Sequence, residues 1–147
     1  MLDSGPLGLL VQRSGVAQAD VCREWILQRL RTGARIMVPE IVVYELRREL
    51  LRLQHAMALS RLDSFLAAAP DRLLLLNTSS LRHAAELWAK LRQQGLPTAA
   101  ADALDIDVIL SAQALGAGYS ISEFVVATSN VGHLIRLVPA SIWSDLE

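Results

Sequence analysis

The sequence has little of several residues on which whole classes of protein depend. Its single cysteine, Cys22, excludes an intrachain disulfide and leaves no cysteine pattern for zinc. Two phenylalanines and two tyrosines in 147 residues provide no evident platform for stacking a single nucleic-acid strand. The formal net charge of -1 excludes a protein that is basic throughout, so contacts to phosphate must come from a local patch.

Long hydrophobic runs are also missing, although hydrophobic residues make up 52% of the chain. No run approaches the ~20 apolar residues of a membrane-spanning helix. Asp3 interrupts the N-terminus at once and no basic stretch precedes it, so we expect no signal peptide and no membrane partner. We therefore expect a cytoplasmic protein with one domain over residues 1–147, long enough to bury a core without disulfides.

Short apolar runs alternate with stretches of helical periodicity along the chain. Strands are predicted at residues 36–38, 73–76, 124–128 and 135–138, and helices at 19–30, 41–53 with a continuation to 69, 81–94 and 107–115. Ser79 or Ser80 is the predicted N-cap of the helix that ends at Gln94, and Asp105 that of the helix from Asp107. The alternation predicts an α/β fold of three layers, with a central, mostly parallel sheet and helices on both faces.

Four acidic or amide residues stand at the ends of apolar runs: Asp3, Glu45, Asp107 and Asn130. Asp3 and Asn130 follow predicted strands, and Glu45 and Asp107 lie in helices that can reach the same edge of the sheet, where ligands of α/β folds bind. A carboxylate buried there without a counter-charge is costly. A hard divalent cation is the natural counter-charge, since it prefers oxygen ligands, and this predicts metal-assisted hydrolysis of a phosphodiester.

Each of these polar residues also has a structural alternative. Asp3 is a suitable turn residue before a Gly-Pro pair, and Asn130 is suited to turn the chain after a strand. Glu45 has the spacing of a solvated helix ion pair with Arg48. Ser4 and Thr128 are interpreted as peripheral: they either reach a bound water or phosphate or tie the backbone near the strand ends.

Two further polar residues stay outside the predicted site. For Asp102 a helix cap is an equal alternative to a role in the site, and its role is left open. His133 is expected to make a local hydrogen bond, because a metal-bound water needs no histidine base and the chain's three histidines show no ligand spacing.

Segments around these four residues resemble, in order, the segments of the PIN domain, and the similarity spans essentially the whole chain. The opening LDSGPL (2–7) resembles the family's first strand and first acid, and VPEIVVYELRREL (38–50) its segment with an invariant Glu. DVILSAQAL (107–115) resembles a D-x-x-I-A-A-x-A-L helix, and VATSNVGHL (126–134) a closing T-x-N-x-x-H-F segment in which Leu134 replaces Phe.

The resemblance implies a Mg²⁺- or Mn²⁺-dependent endoribonuclease, the toxin of a VapC-type toxin–antitoxin pair. It implies metal-binding carboxylates at Asp3, Glu45 and Asp107, with Asn130 completing the catalytic site. The partners it implies are an RNA substrate, a cognate antitoxin protein and a second copy of the chain in a homodimer.

One departure from the pattern supports an alternative function. Nearer relatives tend to carry a further carboxylate where this chain has Ala99, Ala100 and Ala101. The alternative is a catalytically degenerate PIN-like domain that binds RNA or a partner protein without turnover.

Two surfaces are candidates for contacts with partners. The candidate phosphate contacts are Arg29, Arg31, Arg47, Arg48, Arg52 and Arg61, with a solvated helix face as the alternative. The amphipathic helices between Ile41 and Ala69 are expected to form a groove for an antitoxin peptide.

Overall fold

The computed structural model describes residues 1–94, 101–132 and 134–146, apart from the side chains of residues 101–104. The helices of this part are α1 (Ser4–Val11), α2 (Ala17–Arg31), α3 (Glu40–Arg52), α4 (Ala56–Ala67), α5 (Thr78–Gln93) and α6 (Ala101–Leu115). The strands are β1 (Val38–Pro39), β2 (Leu73–Leu74), β3 (Val126–Thr128) and β4 (Ala140–Ile142). Two 3-10 helices, Leu134–Arg136 and Trp143–Asp145, flank β4.

The N-terminal residues join two pairs of parallel strands into one layer. β1 pairs with β2, and β3 pairs with β4. Leu2 forms a parallel bridge with Ala127, and its backbone N–H donates a hydrogen bond of 2.9 Å to the carbonyl of Met37. Asp3 and Thr128 therefore stand where two adjacent chain segments leave the sheet at its carboxyl edge.

Apolar faces of the helices cover this sheet, in the predicted three-layer arrangement with helices on both faces. α3 packs against α1, α4 and α6, and α5 packs mainly against α6. Within the described residues, no helix is both long and apolar enough to cross a membrane. The core combines apolar side chains of the sheet and helices, among them Leu2, Leu7, Ile26, Val38, Val42, Leu62, Leu110 and Val126.

The predicted strand at residues 135–138 is wrong. Residues 134–136 form a 3-10 helix, because the N–H groups of Leu137 and Val138 both donate to the carbonyl of Leu134 at 2.9 Å. The chain re-enters the sheet only after Pro139, whose carbonyl accepts a hydrogen bond of 2.8 Å from Val126. The last strand is therefore β4.

Two predicted helix caps are also wrong. Asn77 caps α5, since its side-chain oxygen accepts a hydrogen bond of 2.8 Å from the N–H of Ser80. Asp105 lies within α6, which already begins at Ala101. Alanine is the strongest helix former, so the alanine-rich stretch before Asp105 extends the helix in the N-terminal direction.

Gln113 is a buried polar side chain that connects three elements. Its Oε1 accepts a hydrogen bond of 3.1 Å from the N–H of Ile41 at the start of α3. Its Nε2 donates one of 2.7 Å to the carbonyl of Leu74 in β2. Gln113 therefore holds α6, which carries Asp107, in a defined position relative to α3, which carries Glu45.

Replacing Gln113 with leucine should destabilise the protein by about 2–4 kcal/mol, because a buried backbone donor and a buried acceptor lose their partners. The free energy of unfolding measured in urea would test this. Gln28→Leu is the matched control, since Gln28 is exposed on α2 and its replacement should change stability by about 0.5 kcal/mol or less. Equal stability of the two variants would contradict a bracing role for Gln113.

Candidate active site

Asp3 caps α1 and is held at the sheet edge by both of its carboxylate oxygens. Oδ1 accepts a hydrogen bond of 2.6 Å from the N–H of Ser4, the first residue of α1, for which Asp3 is the N-cap. Oδ2 accepts one of 2.6 Å from the hydroxyl of Thr128. The turn-forming alternative for Asp3 is thus realised as a helix cap, and the same contacts orient its carboxylate.

The start of α1 lies very close to the end of β3. A Cβ atom added at Gly5 would stand 2.8 Å from the Cβ of Ser129, a distance that side chains do not tolerate. Only glycine allows this approach, which brings the cap of α1 next to Thr128. Of the two alternatives for the Gly-Pro pair, a turn or a helix entry, the structure has the helix entry: the pair lies in the first turn of α1.

Asp107 is a carboxyl group of this edge with a raised pKa. Burial, together with the neighbouring charges of Asp3 and Glu45, raises the pKa of Asp107 to about 6. Glu45 on α3 and Asp107 on α6 are both partly buried. Asp3 and Glu45, from two other segments, therefore lie within electrostatic reach of Asp107.

These three carboxylates have no cationic partner within the part of the chain that the structure describes. The ion pairs there are Asp20–Arg23, Glu24–Arg31, Asp71–Arg35, Asp63–Arg47 and Glu49–Arg52. The alternative of an ion pair between Glu45 and Arg48 is wrong, because the guanidinium of Arg48 lies over the ring of Tyr44. The negative charge of the edge is left for a ligand to neutralise.

Asn130 occupies a turn just beyond β3. Its Oδ1 accepts a hydrogen bond of 3.1 Å from the N–H of Gly132, and its own N–H donates one of 3.0 Å to Oγ1 of Thr128. The structure thus places Asn130 next to the threonine that holds Asp3, with its side-chain oxygen engaged in turning the chain. His133, Ala99, Ala100 and the side chains of Ala101 and Asp102 lie outside what the structure describes.

Thr128 has a larger role at the site than the sequence predicts. It is buried, and its hydroxyl donates to the carboxylate of Asp3 from 125 positions away in the chain. The only signal in the sequence is a threonine at the end of the clearest predicted strand. Such a position is common, and the parallel pairing that puts Thr128 beside Asp3 is a property of the tertiary structure.

The donor set suits a hard divalent cation. Within the described residues, no three His, Cys, Asp or Glu side chains are grouped tightly enough to hold a metal ion by themselves. Mg²⁺, however, usually binds one or two carboxylates and completes its shell with water and substrate phosphate. Asp3, Glu45 and Asp107 provide oxygen ligands whose mutual repulsion such an ion would relieve, so these residues fit it.

Comparisons with known proteins agree with the fold. The model of the PIN domain family matches residues 2–129. Among solved structures, the chain is similar to VapBC2 from Rickettsia felis bound to a DNA fragment from their promoter, with a TM-score of 0.69, 17% identity and coverage of 96% of each chain. At this identity the similarity concerns the fold. No curated protein matches.

Removing the charge of Asp107 should stabilise the metal-free protein at neutral pH. An acid whose pKa is raised in the folded state contributes stability below its unfolded value of 3.8, and this contribution is lost as pH rises through about 6. We expect Asp107→Asn to increase the free energy of unfolding at pH 7.5 by about 1–3 kcal/mol in the presence of a chelator. Near pH 4 wild type and variant should have similar stability.

Asp105→Asn is the matched control for this experiment, because Asp105 is exposed on the same helix. It should leave the free energy of unfolding nearly unchanged at both pH values. A destabilising effect of Asp107→Asn at pH 7.5 would show that the three carboxylates do not repel one another in the folded protein.

Proposed function

Since this chain belongs to the PIN domain family, we propose that it is a cytoplasmic, metal-dependent endoribonuclease and the toxin of a toxin–antitoxin pair. The observation that supports this most is the electrostatic coupling of Asp107 to Asp3 and Glu45, in a group of carboxylates without a protein counter-charge among the described residues. Such a group is unfavourable in itself and becomes favourable with a cation.

Asp3, Glu45 and Asp107 are the residues that would hold Mg²⁺ or Mn²⁺. When bound, such an ion would activate a water molecule and neutralise charge that develops on the phosphate during hydrolysis. Asp3 presents a fixed carboxylate, because Ser4 and Thr128 each donate a hydrogen bond to one of its oxygens. Asp107 has to lose its proton before it can act as a ligand, so activity should fall as the pH drops through about 6.

Glu45 and Asn130 act at the borders of this group in the proposal. Glu45 is a ligand or orients the attacking water, because it is partly buried and its charge reaches Asp107. Asn130, which follows Ser129, is exposed to solvent. In this proposal it contacts the substrate or a bound water. Its position in a turn supported by Thr128 keeps it close to Asp3.

A groove between α1, α3 and α4 supports the toxin part of the proposal. It has a volume of about 500 Å³ and a mostly apolar lining, with Leu9, Leu46, Leu50, Leu53 and Ala58 on its walls. Gly5 and Leu46 at its border are close in sequence to Asp3 and Glu45. An amphipathic segment of an antitoxin in this groove would therefore end beside the carboxylates and block access to them.

A second candidate function is binding of RNA or a partner protein without turnover. The observation that favours it is that no preformed cluster of metal-binding side chains exists among the described residues. A PIN domain that lost its cation affinity would keep the fold and the surfaces for partners. The homodimer implied by the family resemblance is compatible with both functions.

Cleavage of a pool of structured and unstructured RNAs tests the nuclease. Wild type should cut with Mg²⁺ or Mn²⁺ and not with EDTA, and Asp107→Asn should lose activity by at least about 100-fold, since it removes a charged ligand from a group that acts as a unit. Asp105→Asn should retain activity. A folded wild-type protein that cuts no RNA with either metal would favour the second candidate, and cleavage that survives in Asp107→Asn would refute the mechanism.

Growth arrest tests the toxin role separately. Induced expression of the wild-type chain in a bacterial host should slow growth, and expression of Asp107→Asn at the same level should not. Leu53→Ala should remain toxic, because Leu53 lines the groove and is no part of the carboxylate group. Normal growth with an active wild-type nuclease in the cells would argue against a toxin.

A further inference from the structure

One large aromatic side chain stands exposed on the helix that carries Glu45. Tyr44 leaves 56% of its surface open to solvent. The guanidinium carbon of Arg48 lies 5.6 Å from the centre of its ring, at the i,i+4 spacing that brings side chains of a helix together. The pair presents an aromatic ring with a positive charge over one of its faces, and Tyr44 is next in sequence to Glu45.

Arg48 differs from the other arginines near it. Arg47 is paired with Asp63, Arg52 with Glu49, and Arg61 donates to the carbonyl of Val11 at 2.6 Å. Within the described part of the chain, Arg48 is exposed and forms no ion pair. Its charge acts on Glu49, but Glu49 is already paired with Arg52, so Arg48 can still pair with a ligand.

The Tyr44–Arg48 pair lies apart from the groove between α1, α3 and α4. That groove is lined from α3 by Leu46, Glu49 and Leu50, which occupy a different side of the helix from positions 44 and 48. A segment bound in the groove would leave the ring of Tyr44 uncovered. The pair and the groove are thus separate surfaces on two sides of one helix.

We propose that Tyr44 and Arg48 form a stacking platform for an unpaired nucleobase of the RNA substrate, next to the phosphate that is cleaved. This inference rests on the proposed function. Single-stranded RNA is recognised largely by stacking of splayed bases on aromatic rings and guanidinium planes, together with contacts to phosphate. Bases inside a duplex are already stacked on one another, so the platform selects nucleotides in loops and single strands.

The test measures RNA binding in the Asp107→Asn background, so that it does not depend on cleavage. Fluorescence anisotropy of a labelled single-stranded decamer, and of the same sequence in a duplex, gives the dissociation constants with each variant. Tyr44→Leu and Arg48→Gln should each weaken single-strand binding by roughly 10-fold, and Tyr44→Phe should not, because it keeps the ring. Leu51→Ala is the control, since Leu51 is 58% exposed two turns further along α3.

The outcomes separate the platform from the nuclease. Ring-dependent binding of single-stranded RNA without cleavage by the wild type would support the platform and refute the nuclease. Equal binding by Tyr44→Leu and Tyr44→Phe, or no binding of the decamer at all, would overturn the platform. A loss of self-association in Tyr44→Leu, measured by sedimentation with RNA binding unchanged, would show instead that Tyr44 contacts a second copy of the chain.

Discussion

Three carboxylates lie at one edge of a parallel sheet and repel one another. The other features of the site hold these carboxylates in place despite this repulsion. Asp107 feels the charges of Asp3 and Glu45 while it is partly removed from water, and both effects raise its pKa. The folded chain keeps this arrangement although it is unfavourable without a cation. Uncompensated charge held in place by the scaffold is typical of functional sites, where stability is reduced in favour of binding.

Several contacts far apart in sequence hold the carboxylates where they are. The parallel bridge between Leu2 and Ala127 brings Thr128 to Asp3, and the absence of a side chain at Gly5 lets α1 begin against Ser129. Gln113 in α6 holds α6 in position against α3, because its side chain accepts a hydrogen bond from the backbone at the start of α3. None of these residues needs to contact substrate, yet each determines a distance within the carboxylate group.

In the functions proposed above, the two sides of α3 give the helix a double role. One side turns toward α1 and α4 and lines an apolar groove suited to an inhibitory peptide, and the other presents Tyr44 and Arg48 to solvent. Glu45 lies between these two sides of the helix. A ligand in the groove and an RNA strand on the platform would therefore approach the same carboxylates from different directions. An inhibitor and a substrate would then compete only at the edge that carries the carboxylates.

Much of this could be predicted from the sequence, because the relevant signals are local. The period of apolar residues identifies the helices and most strands, and the order of four short segments indicates the family. Errors occurred where local signals compete. Residues 135–138 have a strand-like composition, but the chain forms a 3-10 helix over 134–136, and Asn77 rather than a nearby serine caps α5. Both choices depend on which backbone groups the neighbouring segments satisfy.

The sequence by itself determined which residues carry charge and which helix or strand carries each of them. Only the tertiary structure decided that Thr128 holds Asp3 and that Gln113 braces α6 against α3. The physical reason is that hydrogen bonds and charge interactions depend on distances of a few ångströms between segments more than 60 residues apart, and no local pattern encodes such distances.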